Sequence, residues 1–149
     1  MKIYIGSDHQ GFHLKEAVEA WLKKEGYAIE DVGDKKLDPK DDYPQFAQNA
    51  AHKVLTSTDA DARAILICGG GQGMAMAANR FKGIRAAVVW DEEEARMSRV
   101  DNDSNILSLP ARILDGDINN VKNIITIWLT TKFSAAPRHI RRNQELDDI

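Results

Sequence analysis

Short apolar runs alternate with longer amphipathic segments along the whole chain. An unbroken apolar run of this length is typical of a strand in a parallel sheet, where both faces are buried. Such runs predict five strands, at Lys2–Gly6, Tyr27–Val32, Ala64–Cys68, Ile84–Trp90 and Ile106–Leu109. Apolar residues three and four apart predict helices from Phe12 to Gly26, Asp42 to Leu55 and Asp117 to Ala135. Further helices are predicted from Ala75 to Phe81 after the glycines, from Asp91, a suitable N-cap, to Val100, and, as a polar helix, from Arg138 to Asp148. This alternation predicts a doubly wound α/β fold, formed by a single domain over residues 1–149.

Cys68 lies between the third predicted strand and a glycine-rich turn. A lone cysteine is more often a small buried apolar residue than a reactive one. Here the glycines allow a tight turn that aims backbone N–H groups at a ligand, and the following helix start favours an anion. The positive electrostatic potential at the helix N-terminus also lowers the pKa of a nearby thiol. We therefore expect a reactive Cys68 at the mouth of an anion-binding loop. The turn consists of Gly69, Gly70, Gly71, Gln72 and Gly73.

Several familiar loops are excluded by single positions. A P-loop needs Lys and then Ser or Thr where this chain has Met74 and Ala75. The dinucleotide-binding fingerprint and a phosphatase-type cysteine loop both fail at Met74, which replaces a required glycine and arginine respectively. The segment from Asp101 begins like a calcium loop, but Ile106 replaces its glycine and Arg112 its terminal glutamate. We therefore predict no metal site.

Composition and charge narrow the function classes further. The net charge of −3 argues against a nucleic-acid-binding protein. No apolar run approaches the roughly 20 residues that span a bilayer, and the first apolar run is too short for a signal peptide. The single cysteine excludes an internal disulfide and a cysteine-based metal cluster. We therefore expect a cytoplasmic location, without nucleic-acid or membrane partners.

Three polar loops are expected to form the ligand site. They are Ser7–Gly11, Cys68–Gly73 and Asp101–Asn105, and each is interpreted as lying at the carboxyl edge of the sheet, where such folds bind ligands. Within the first loop, Asp8 and His9 either contact the ligand or only shape the loop.

The last helix has little apolar surface of its own. Arg138 and Arg142 are four residues apart and share one face, which is either a solvated surface or a grip for phosphate oxygens. Because this helix cannot bury itself well, we expect it to pack on a second subunit and bring its arginines to that subunit's site.

A set of motifs spread over nearly the whole chain resembles one known family. The motifs are Gly6-Ser-Asp8-His9-Gln-Gly11-Phe, Asp42-Tyr43-Pro44, Ile-Cys68-Gly69-Gly70-Gly71-Gln-Gly73, Ala-Ala78-Asn79-Arg-Phe81, Gly83-Ile-Arg85-Ala and Asn102-Asp103-Ser-Asn105-Ile-Leu. In this order they are similar to the type B ribose-5-phosphate isomerases, a family that includes galactose-6-phosphate isomerase subunits.

The resemblance implies a metal-independent aldose–ketose isomerase that needs no cofactor. It also implies a Rossmann-like three-layer α/β/α fold with a five-stranded parallel sheet, assembled as a homodimer or a dimer of dimers with sites at the interface. Cys68 would be the base that moves a proton between C1 and C2, and the Gly69–Gly73 backbone would hold the enediolate oxygens. The implied substrate contacts are Asp8, His9 and Asn102, and the implied phosphate-binding residues are Arg112, Arg138 and Arg142.

Two positions depart from the family pattern. Most members have a ring-opening histidine where this chain has Asp101, and a threonine where it has Gly70. Asp101 could do the acid–base work itself, another group such as His9 could do it, or the substrate could need no ring opening.

The leading prediction is an isomerase of ribose 5-phosphate and ribulose 5-phosphate. Alternatives are an isomerase of a tetrose 4-phosphate, which cannot close a five-membered ring, or of a hexose 6-phosphate. Two hypotheses come from other function classes. They are a non-catalytic sugar-phosphate-binding protein and a flavodoxin-like nucleotide-binding domain.

Overall fold

A central parallel sheet carries helices on both of its faces. In the computed structural model, which describes residues 1–149, the strands are β1 (Lys2–Ser7), β2 (Ala28–Asp31), β3 (Arg63–Cys68), β4 (Ala86–Val88) and β5 (Ile106–Pro110). The helices are α1 (Phe12–Lys24), α2 (Tyr43–Thr56), α3 (Gln72–Ala78), α4 (Glu92–Val100), α5 (Ala111–Leu114), α6 (Ile118–Thr130) and α7 (Pro137–Glu145). The predicted α/β fold with a five-stranded parallel sheet is confirmed.

The strand order is β2-β1-β3-β5-β4, and every neighbouring pair is parallel. The chain runs outward from β1 to β2, then crosses back to β3 on the other side of β1. The carboxyl ends of β1 and β3 therefore flank the topological switch point, where open α/β sheets bind their ligands.

Alternating residues of the central strands supply two separate cores. Ile65 and Ile67 of β3 point into a cluster with α1, α4, α5 and α6, whereas Leu66 and Cys68 point to the opposite face, against α2 and α3. All six residues of β3 are buried, as expected for a strand covered on both faces. Cys68 therefore leaves the sheet on the side of α2 and α3.

Two elements differ from the sequence prediction. The strand predicted over Ile84–Trp90 is shorter, because β4 pairs with β5 only over Ala86–Val88 at the edge of the sheet. The helix α5 was not predicted, since four residues are too few for a helical period to stand out. No helix of the chain has the length and apolar character needed to cross a membrane.

The loop Asp101–Asn105 lies at the opposite edge from the one predicted. It follows α4 and precedes β5, so it sits at the amino-terminal ends of the strands. The Asn105 carbonyl accepts a hydrogen bond from the N–H of Ala64, near the start of β3. In a parallel sheet this edge is separated from Cys68 by the length of β3, roughly 16 Å. The expectation that the three polar loops gather at one edge of the sheet is therefore wrong.

Candidate active site

The ends of β1 and β3 bring Asp8 and Cys68 to the switch point. Ser7 is opposite Ile67 in the ladder, so the next residue of each strand emerges side by side. Asp8 is buried, and its Oδ1 accepts hydrogen bonds from the backbone N–H groups of Gln10 at 2.9 Å and Gly11 at 3.1 Å. These bonds fold the first predicted site loop into a tight turn beside the thiol.

The Cys68 thiol is enclosed by the glycine-rich turn and is only 6% exposed. Burial raises the pKa of Cys68 above its ordinary value, and the negative charge of Asp8 raises it further. Backbone hydrogen bonds from Met74, Gly71 and Gly70 lower the same pKa, as expected for N–H groups near a thiolate, but burial outweighs them. The expectation of a lowered thiol pKa is therefore wrong for this chain, although backbone N–H groups of the turn do face the thiol.

Close packing explains most glycines of the turn. Gly71 has a φ of +72°, in the left-handed region that favours glycine, at the start of α3. A Cβ on Gly73 would lie 2.6 Å from the Tyr43 ring, and one on Gly69 would collide with the side chain of Gln10. Gly70 is different, because a Cβ there would meet only the Arg112 guanidinium, at 3.7–3.9 Å. Gly70 thus has room for a side chain.

Arg112 follows the end of β5 and belongs to the same edge as Cys68. Its backbone N–H donates to the Gly69 carbonyl at 3.0 Å, and its exposed side chain extends over Gly69 and Gly70. A cleft of about 370 Å³ is lined by Gln10, Gly69, Ala111, Arg112 and Asp115. The guanidinium gives this cleft a cation suited to phosphate oxygens.

His9 is held by a carboxylate that the sequence reasoning missed. Its Nδ1 lies 2.6 Å from Oδ1 of Asp41, whose side chain is only 3% exposed. The hydrogen bond to Asp41 raises the pKa of His9. Asp41 precedes α2 in a loop crowded with exposed charges, and nothing in the sequence sets it apart from its neighbours Lys40 and Asp42.

A second group of predicted site residues lies at the other edge of the sheet. The Asp101 carboxylate is 3.6 Å from Nε2 of His139, and the Asp101 carbonyl accepts a hydrogen bond from Asn143 of α7. Arg138 and Arg142 are exposed on the same helix, and the exposed Asn102 follows Asp101 directly. Asn102 also borders a larger cavity of about 620 Å³ between β4 and the end of α7, which none of the residues around Cys68 lines.

The predicted site residues therefore fall into two groups within one chain. The first, here the thiol group, comprises Asp8, His9, Cys68, Gly69, Gly70, Gly71, Gln72, Gly73 and Arg112. The second, here the arginine group, comprises Asp101, Asn102, Arg138 and Arg142. Each group is assembled locally, but the sheet separates one from the other.

Comparison with known proteins places the chain in a family. A protein-family model described as Ribose/Galactose Isomerase matches residues 3–146. A ribose-5-phosphate isomerase B of Mycolicibacterium paratuberculosis is 37% identical over 95% of this chain and 87% of its own length. A solved ribose-5-phosphate isomerase B of Clostridium thermocellum is 40% identical with a TM-score of 0.91, covering 99% of this chain and 96% of that one. The solved Mycoplasma genitalium protein, with bound ribulose-5-phosphate, is 36% identical with a TM-score of 0.90 over 99% of this chain and 94% of that one. The chain belongs to the ribose/galactose isomerase family.

Proposed function

We propose that this protein interconverts ribose 5-phosphate and ribulose 5-phosphate through an enediolate, with Cys68 as the base and without a metal. Its family membership makes the chain an aldose–ketose isomerase of sugar phosphates. The substrate is proposed from similar proteins that are named for ribose 5-phosphate, one of them solved with ribulose-5-phosphate. The observation that carries the mechanism is the Cys68 sulfur at the switch point, faced by backbone N–H groups and flanked by Asp8.

The chemistry is a proton transfer between neighbouring carbons. The Cys68 thiolate takes the proton from C2 of the open aldose, the C–H electron pair forms the C1–C2 double bond, and the carbonyl pair moves onto O1. The thiol then returns the proton to C1, while a proton moves from O2 to O1 and O2 becomes the new carbonyl oxygen. Backbone N–H groups of the Gly69–Gly73 turn stabilise the charge that develops on the oxygens.

A complete site requires both groups of residues. We propose that a second copy of the chain supplies Asp101, Asn102, Arg138 and Arg142 to the thiol group of the first. The exposure of both arginines on one face of α7 supports this, because in one chain they have no phosphate site to serve. A two-fold dimer places each group of one copy against the other group of its partner, so two sites form together.

A second candidate substrate is a tetrose 4-phosphate. It stays open because its phosphate occupies the only oxygen that could close a five-membered ring, so it needs no ring-opening group. The acidic side chain of Asp101 and the free space beside Gly70 are the observations that favour it.

A matched turnover assay on ribose 5-phosphate and erythrose 4-phosphate tests both candidates. We expect turnover of ribose 5-phosphate and its loss in Cys68→Ala. Turnover of the tetrose alone would transfer the assignment to the second candidate. Turnover that survives in Cys68→Ala would remove Cys68 from the role of base. The variant Gly70→Thr, for which the turn has room, shows whether this position controls the ratio of the two rates.

A further inference from the structure

His9 and Asp41 form a partly buried hydrogen-bonded pair at the rim of the site. The 2.6 Å bond uses Nδ1 of the ring, and the His9 side chain keeps 30% of its surface exposed. One nitrogen of His9 and one carboxylate oxygen from each of Asp8 and Asp41 lie within 4.8 Å of one another. His9 is therefore fixed on one side and open on the other, directly beside the residue that flanks Cys68.

The Asp41 carboxylate has few partners apart from this histidine. Its Oδ2 is buried and makes no hydrogen bond, which is costly for a charged oxygen. A solvent-facing position would relieve that cost, yet the side chain is held inside at 3% exposure. Such an arrangement is typical of a carboxylate that orients an imidazole for proton transfer, as in the hydrolytic triads.

We propose that His9 is the ring-opening acid of this enzyme and that Asp41 is the residue that positions it. The inference rests on the proposed function, because only a cyclic aldose phosphate needs this step. Asp101, the other acid–base candidate, is a carboxylate and offers no N–H donor. His9 supplies such a donor from the thiol group itself.

The step balances with groups that are present. The His9 imidazolium gives its Nε2 proton to the ring oxygen O4, the C1–O4 bond breaks, and its electron pair goes to O4. The proton of the anomeric hydroxyl passes to the Asp8 carboxylate, and the O1–H electron pair forms the C1 carbonyl. The open aldehyde is then the substrate for proton abstraction by Cys68.

The electrostatic setting favours the protonated form of His9 by raising its pKa. The hydrogen bond to Asp41 has the largest effect and raises the pKa of His9; burial, the second largest, lowers it, and the charges of Asp41, Asp8 and Asp38 raise it further. The imidazolium is therefore populated to a higher pH than for an isolated histidine. Burial in turn raises the pKa of Asp8, which suits it to accept the anomeric proton.

The test separates ring opening from proton abstraction. Ribulose 5-phosphate is acyclic, because its C5 oxygen carries the phosphate, so exchange of its C1 proton with D₂O needs only Cys68. We measure this exchange by NMR, and net turnover of ribose 5-phosphate, in wild type, His9→Gln and Asp41→Asn. Asp34→Asn is the matched control, since it removes a carboxylate from the same loop that accepts a hydrogen bond from the backbone N–H of Lys36 and does not touch the ring.

We expect net turnover to fall about 100-fold in His9→Gln and about 10-fold in Asp41→Asn, with exchange within about twofold of wild type. Asp34→Asn should leave both rates near wild type. Equal losses of turnover and exchange, or no loss in either variant, would overturn the assignment of His9 and Asp41. Absence of exchange in wild type would instead overturn the proposed function, so the two failures are distinguishable.

Discussion

At Cys68 the environment of the sulfur acts in two opposite directions. Burial and the neighbouring Asp8 charge disfavour the thiolate, whereas the N–H groups of Gly70, Gly71 and Met74 favour it. Burial dominates, so the resting thiol is protonated near neutral pH and only a minor fraction is available as a base. A base with a high pKa is strong once formed, which suits abstraction of a weakly acidic carbon-bound proton.

This balance predicts the pH dependence of thiol alkylation. Cys68 is the only cysteine, so iodoacetamide labelling followed by mass spectrometry reports it alone. We expect the native labelling rate to rise about tenfold per pH unit and to level off only above the ordinary thiol value of 9.0. The urea-unfolded chain is the control and should level off at lower pH. A native midpoint below that of the unfolded chain would contradict the dominance of burial.

The same shift affects stability, with a definite sign. The native thiol has the higher pKa, so the unfolded chain loses its proton first as the pH rises. Stability from this group is therefore complete below the ordinary thiol pKa and declines above it.

Among the helices, α6 is tied to α4 and the sheet by a buried polar chain. Nε1 of the fully buried Trp128 donates to Ser104 Oγ at 2.8 Å, and Ser104 Oγ donates to Ser98 Oγ at 3.0 Å. Arg63, at the start of β3, donates to the Trp128 carbonyl at 3.0 Å. The amino-terminal edge of the sheet, which carries the arginine group, depends on these contacts.

We expect Trp128→Phe to lower the free energy of unfolding by about 2–4 kcal/mol, because it leaves a cavity and removes the N–H donor to Ser104 Oγ. Urea unfolding at one fixed protein concentration measures it. A double-mutant cycle with Ser104→Ala isolates the hydrogen bond, for which we expect a coupling of about 1 kcal/mol. A coupling near zero would mean that the cost of Trp128→Phe comes from packing alone.

The elements were largely predictable because strands and helices alternate cleanly. All five strands and six of the seven helices were predicted, the longer helices from apolar spacing and α4 from its Asp91 cap and acidic first turn. The short α5 has no period of its own, and β4 is shortened because pairing with a single neighbour limits an edge strand. The side of the sheet on which Asp101–Asn105 lies was predicted wrongly, because a polar loop looks the same before and after a strand. The direction in which the chain enters β5 decides at which edge of the sheet this loop lies.

For the molecule as a whole, the sequence predicted the members of the candidate site better than their arrangement. Cys68, the glycine turn and Asp8 follow from one strand end and the next, which local spacing can reveal. Asp41 reaches His9 across 32 positions of sequence and has no distinguishing neighbours. The sheet separates the arginine group from Cys68, and this separation is visible only once the five strands are paired in their order. That separation also gives the sharpest test of the proposed dimer.

Mixing two inactive variants tests whether each site draws on two copies. If Cys68 and Arg142 act in the same site from different chains, a mixed dimer of Cys68→Ala and Arg142→Ala contains one site with both residues intact. Random subunit exchange makes about half of the dimers mixed, so we expect recovery to about one quarter of wild-type turnover. The matched control is a mixture of Cys68→Ala and Asp8→Asn, two changes within the thiol group, which should recover nothing because every site carries one defect. Equal failure of both mixtures, with subunit exchange verified by native mass spectrometry, would mean that each chain completes its own site and that the arginine group serves another purpose.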